Sequence, residues 1–241
     1  MDDTNIDQSE WKTLCKEIAS FYVPEEDAFP PNAFKTPKQQ QELAAITLGQ
    51  QLEMPEMCAL IRNGLDSLKE LLPQYSAEEQ QGVNQLFDIF VSYMTAGASL
   101  PSSEESFVDI ASLLQLPKAG LDTIDKMGKQ WLQSAQWQKA AGVFTLLCLW
   151  QSSKDLHWFQ RALALYYDNR WDECQQSIEN ALALNSQQPE YYLLLCSALL
   201  SKKEKDLAKE AHRQAQELLS TYRLVLPQVW ADWNDTLQKQ L

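Results

Sequence analysis

An all-α chain built around stacked helix pairs is the fold class this sequence predicts, on three observations. The first is a period. Trp137, Ala140, Phe144 and Leu147 return 34 residues later as Trp171, Cys174, Ile178 and Ala181, and again as Lys205, Ala208, His212 and Ala215. The second lies inside each period: Met127-Gly128 with Trp131 becomes Arg161-Ala162 with Leu165, then Leu195-Cys196 with Leu199, a bulky residue beside a small one where two helices cross closely. The third is punctuation: apolar residues recur at three and four, and Pro55, Pro73, Pro101 and Pro117 cut the preceding stretch into helix-length pieces.

In chain order, residues 1–37 read as an N-terminal helix and a proline-rich linker. Trp11, Leu14, Cys15, Ile18, Phe21 and Tyr22 make one amphipathic face, which either covers the rest of the protein or serves self-association. Pro24, Pro30, Pro31 and Pro37 then end the helix. Residues 38–120 read as a distinct acidic helical domain of four helices, near 38–53, 56–72, 76–96 and 103–116. Ser76 with Glu79 and Ser102 with Glu105 have capping-box spacing at the starts of the last two. Residues 121–222 hold three repeats (121–154, 155–188, 189–222), with turns near Ser134-Ala135, Asp168-Asn169 and Lys202-Lys203. Residues 223–241 end in a helix carrying Val229, Trp230, Trp233 and Leu237, expected to cap the open apolar edge of the third unit.

The composition excludes several functions. Hydrophobic residues make up 45% and charged ones 22% of 241 residues, and the apolar runs, such as Leu146 to Trp150, are far short of the roughly 20 residues of a membrane span. The start, Met1-Asp2-Asp3, has neither a basic nor an apolar leader, so a cytosolic protein is expected. Residues 1–120 carry 19 acidic against 7 basic side chains, and residues 121–241 carry 14 against 13, which together give the net charge of −13. Such acidity repels phosphate backbones and anionic membrane surfaces, disfavouring nucleic-acid binding. Five scattered cysteines and two histidines form no metal or nucleophile pattern, and with only 7 glycines there is no phosphate loop. No cofactor, metal or enzymatic activity is expected.

The 34-residue units resemble the tetratricopeptide repeat, although Lys205 and His212 stand where aromatics are usual. That resemblance implies a concave groove lined by the first helix of each unit, a surface suited to an extended peptide or a partner helix. It turns inward Asp122, Asp125, Lys129, Leu132 and Gln133 in unit one; Leu156, Phe159, Leu163, Tyr166 and Tyr167 in unit two; and Glu190, Leu193, Ser197, Leu200 and Ser201 in unit three. The carboxylate clamp of heat-shock co-chaperones is absent, because Asp125, Gln160, Glu190 and Leu194 occupy its positions and two carboxylates there would repel a carboxylate ligand.

Within that class, the run from Trp137 to Cys148, with Val143-Phe144 and Leu147-Cys148, followed by a helix opening at Trp158 and a unit closing Ala215-Gln216-Glu217-Leu218-Leu219, looks like the translocator chaperones of bacterial type III secretion. The resemblance implies a bacterial cytoplasmic chaperone that holds an apolar, extended segment of a translocator or effector at Phe159, Leu163, Tyr166, Tyr167, Leu193 and Leu200. It also implies a homodimer through N-terminal helices. The chain departs from the family in Leu149-Trp150-Gln151, in Ala162-Leu163-Ala164, and in the long segment before its first repeat, which could contact a secretion-apparatus component. An adaptor bridging folded partners is the alternative, as is a groove filled by the chain's own N-terminus.

Overall fold

The computed structural model describes residues 55–95 and 109–241, and the helices expected at 1–22 and 38–53 lie outside them. Ten α-helices and one short 3-10 turn make up the described chain: α1 Pro55–Leu71, α2 Ala77–Thr95, α3 Ile110–Leu113, α4 Lys118–Gln133, α5 Trp137–Trp150, α6 Asp155–Tyr167, α7 Trp171–Leu184, α8 Pro189–Ser201, α9 Lys205–Tyr222 and α10 Gln228–Gln240, with the turn at Leu72–Gln74. Helices α4/α5, α6/α7 and α8/α9 are the three repeats, each pair packing on itself and on the next.

The period is written into the backbone at the turns. Ala135, Asn169 and Lys203, at the same position of successive units, all adopt a left-handed conformation, with φ of 56°, 62° and 67°. Around each the same bonds recur. The amides of Gln136, Arg170 and Glu204 donate to the carbonyls of Trp131, Leu165 and Leu199 at 3.0, 3.0 and 2.9 Å, which satisfies carbonyls that the helix end leaves orphaned. The expected capping box at α2 is also present: Glu79 N donates to Ser76 Oγ at 3.3 Å and Ser76 N returns to Glu79 Oε2 at 3.2 Å. Its counterpart at Ser102 lies outside the described residues.

The helices before the repeats share the repeats' core. Leu60, Leu65 and Leu68 of α1 and Val83, Leu86, Phe87 and Phe90 of α2 are buried in one cluster with Ile124 and Met127 of α4 and Phe144, Leu147 and Trp150 of α5. Helix α1 lies on α5 and α2 on α4. Both crossings are glycine to glycine. A methyl group on Gly142 would stand 2.3 Å from the Gly64 amide nitrogen, and one on Gly120 would stand 2.4 Å from the Gly82 carbonyl oxygen, so backbone meets backbone. Trp150 closes the joint, its ring edge-on to Phe87 at 5.4 Å and to Phe90 at 5.9 Å. The hydrophobic core therefore runs unbroken across residue 120, where the sequence alone suggests a boundary between a distinct acidic unit and the repeats.

A smaller core belongs to the far end. Leu193, Cys196 and Leu199 of α8 pack with Ala208, Ala211 and Ala215 of α9 and with Leu237 of α10. The side chains that α9 gives this layer are three alanines, and Leu237 adds bulk to it from the terminal helix. Cys148, Cys174 and Cys196 are free thiols buried as compact apolar groups. Burial pushes Cys174 up to about 12 and Cys196 up to about 11, far from any nucleophilic role. Arg161 is also buried, donating to Thr145 Oγ1 at 2.9 Å and to Ser177 Oγ, and so it ties the first two units together through hydroxyls.

Candidate functional site

Phe159, Leu163, Tyr166 and Tyr167 all belong to α6, and the first three are half-buried while Tyr167 is exposed. What sets their rings is the neighbouring helices. Tyr191 at the start of α8 donates its hydroxyl to Asp155 Oδ2 at 3.0 Å, which fixes its ring in a stack on Phe159 with centroids 4.5 Å apart. Tyr167 stacks on Trp137 of the first unit at 4.6 Å, and Tyr166 meets Trp171 edge-on at 5.2 Å. An aromatic surface thus spans all three units.

That surface is occupied by α10. Trp230 and Trp233, one helical turn apart, stack on each other at 5.0 Å. Trp230 leans on Phe159 at 5.8 Å, and Trp233 lies 5.5 Å from Tyr166 and 6.2 Å from Tyr167, while its indole Nε1 donates to Ser197 Oγ at 2.6 Å. One turn further on, Leu237 enters the small core beside Leu193. Asn234 completes the contact: its Oδ1 accepts from Gln216 Nε2 at 2.7 Å and lies 2.9 Å from His212 Nε2. His212, out of pattern for the repeat, is thereby accounted for as a polar seat for α10. The helix caps the third unit through Leu237 and also reaches across α8 to the second.

The expected site residues therefore have different fates. Phe159, Tyr166 and Tyr167 meet the tryptophans of α10. Leu200 lines a cavity of about 610 Å³ left between the ends of α6 and α8 and the outer turns of α10, together with Tyr166, Tyr167, Ser201, Val229 and Gln240. Leu163 packs at the edge of the main core. Leu193, expected to face a ligand, is 0% exposed in the small core with Leu237, so it offers no surface while α10 is in place. The C-terminal helix thus lies on the α6 aromatic face, and the N-terminal helix considered as an occupant of the groove lies outside the described residues. Trp137, Trp171, Tyr191, Trp230 and Trp233 were not singled out as site residues. The signal was present for the last two, as the only large apolar residues besides Val229 and Leu237 in an otherwise polar helix.

The groove wall changes character toward the first unit. Asp125 Oδ1, His157 Nδ1 and Gln160 Oε1 are buried without hydrogen-bond partners, and His157 Nε2 stands 3.8 Å from Asp125 Oδ1. Burial lowers the His157 imidazole to about 4 against the opposing pull of Asp125, so the ring is neutral at pH 7. Among the described residues no cluster of His, Cys, Asp and Glu could hold a metal ion, and no helix is long and apolar enough to cross a membrane.

Two solved structures are similar to this chain. The type III secretion translocator chaperone SycD of Yersinia enterocolitica aligns at 19% identity and a TM-score of 0.48, over 56% of this chain and 96% of that one. One of the two is thus a secretion chaperone. The other, a CopN-Scc3 complex, aligns at 15% identity and a TM-score of 0.49, over 73% of this chain and 98% of that one. No protein-family model matches the chain, and no curated protein does either.

Proposed function

We propose that the protein is a non-enzymatic chaperone of a type III secretion system, holding an apolar segment of a translocator or effector in the concave face of its repeats so that the client stays soluble and export-competent. The observation that carries this reading is the aromatic face of α6, where Tyr166 and Tyr167 border the open cavity beside α10 and Phe159 stacks on Tyr191. The Val143-Phe144 and Leu147-Cys148 pattern supports it from the sequence side. Phe159, Leu163, Tyr166, Tyr167 and Leu200, with Leu193 once it is uncovered, would be the client-binding residues in the bacterial cytoplasm. The N-terminal region would contact a secretion-apparatus component or a second copy of the chain.

Affinity capture from the native host, comparing the unmodified chain with a Phe159→Glu, Tyr166→Glu double variant, tests the proposal. A hydrophobic secreted protein recovered with the first and lost with the second is the expected result. Recovery of the same folded assembly components with both would overturn it in favour of an adaptor.

A further inference from the structure

We infer that the groove is shaped for an amphipathic helix with bulky apolar anchors at i, i+3 and i+7 and an amide at i+4, and that α10 is an internal occupant which such a partner helix displaces. The recognition pattern is read from α10 itself: Trp230, Trp233 and Leu237 are the anchors and Asn234 the amide. They meet Phe159, the Tyr166–Tyr167 pair, the small core and the His212–Gln216 seat respectively. This spacing is that of a helix laid into a groove. The inference rests on the chaperone reading for the identity of the partner, but not for the exchange.

The attachment of α10 is of a kind that can let go. Of its side chains only Leu237 is buried, and among the described residues no ion pair joins it to the repeats. Its tether is short and solvated: Arg223 turns the chain at φ 51°, Leu224 is exposed, and Val225 is 92% exposed. Val229, 72% exposed on the first turn of α10, adds apolar surface that the docked helix does not bury. The element has few buried contacts and a side-chain-only interface, the marks of a unit that opens before the rest of the fold. A tether of this length holds α10 near the groove at an effective concentration on the order of millimolar, so a partner helix binds only by out-competing it. Its apparent affinity is reduced by the fraction of time the groove is open. An empty chaperone would then shield its own aromatic face, and only a client with the same anchor pattern would expose and take it.

The probe is a labelled synthetic peptide of residues 227–241, added to the full chain and followed by fluorescence anisotropy. The unmodified chain is expected to bind it weakly, and a Trp230→Ala, Trp233→Ala chain, with its internal competitor weakened, at least tenfold more tightly. A peptide carrying the same two alanines is expected to bind neither chain. Unchanged affinity in a variant of unchanged helical content would overturn the inference. Equal binding of a peptide with a proline in its centre would overturn the helical form in favour of an extended ligand. Hydrogen exchange on the unmodified chain gives a second reading should the variant fail to fold: α10 amides exchange ahead of those of α8, and added peptide speeds only α10. Joint exchange of the two helices would make α10 a permanent part of the fold. Exchange observed without any secreted client in the capture experiment would leave this inference standing and remove the chaperone reading.

Discussion

The two ends of the repeat stack solve one problem in opposite ways. A stack of helix pairs leaves an apolar edge at each end, and something must cover it. At the start, α1 and α2 cover the first unit through two glycine-to-glycine crossings, with Trp150 held between Phe87 and Phe90 and ion pairs from Lys139 to Glu70 and from Lys126 to Glu79 at 2.6 and 2.9 Å. At the finish, α10 covers the third unit with one buried leucine, two half-buried tryptophans and side-chain hydrogen bonds. Backbone contact allows no partial release, because the helices must separate entirely before water enters. Side-chain contact can be surrendered and regained piecemeal. The first end is foundation and the second is a closure, and the difference matters because only the second faces the groove.

The strongest way to break the first end is at its closest approach. On helix propensity alone, Gly142→Ala in the interior of α5 would stabilise by about 0.5–1 kcal/mol. Here the new methyl meets the Gly64 backbone at 2.3 Å, with no flexible side chain to yield, so the sign reverses and a net loss of about 1–3 kcal/mol is expected. Gly142→Leu is expected to abolish folding. Thermal melts followed by circular dichroism check both, and an alanine variant that melts higher than the parent would show that the crossing is loose.

This crossing also marks where the sequence stops being legible. The helix pairs were readable because period, turns and caps are local: the left-handed Ala135, Asn169 and Lys203 sit where the repeat puts its turns, and Ser76 caps α2 through Glu79 as its spacing requires. Gly64 and Gly142 carry no local sign of each other, since their pairing depends on which helix lies on which, and so α1 and α2 looked like a separate unit. The grouping of the α6 aromatics was implied by the tetratricopeptide resemblance. The position of α10 was not implied, because an i, i+3, i+7 stripe suits a plain cap and a groove occupant equally, and what separates them is the reach of Trp230 to Phe159 and of Trp233 to Tyr166 and Tyr167.

A second prediction concerns the joint between the first two units. His157 titrates at about 4 in the folded chain and at an ordinary value near 6.5 when unfolded, so the unfolded state binds its proton first as pH falls. Its contribution is fully present above pH 6.5 and is lost progressively down to about pH 4, amounting to at most about 3 kcal/mol. Urea unfolding of the parent and of His157→Gln at a series of pH values isolates the effect, and the difference between the two should change across this window and be flat above it. If the joint softens first, acid loosens the stack near its foundation and α10 is not the weakest element under those conditions. An identical pH dependence in both chains would remove His157 from the argument.

The smallest expected effect is the most discriminating for the comparison. Trp233 makes ring contacts with Trp230, Tyr166 and Tyr167 and donates to Ser197, a set that would sum to about 2–4 kcal/mol if each counted in full. A closure that opens on its own cannot transmit that sum to global stability, because once undocking is favourable the rest of the chain no longer notices what α10 has lost. Trp233→Ala should therefore lower the free energy of global unfolding by no more than about 1 kcal/mol, while erasing the near-ultraviolet dichroism of the stacked Trp230–Trp233 pair. Trp150→Ala, buried at the other end, should cost about 3–5 kcal/mol. Denaturant titrations of the two variants side by side decide the matter: equal losses would mean that both ends are foundation, and that the groove is sealed for as long as the protein is folded.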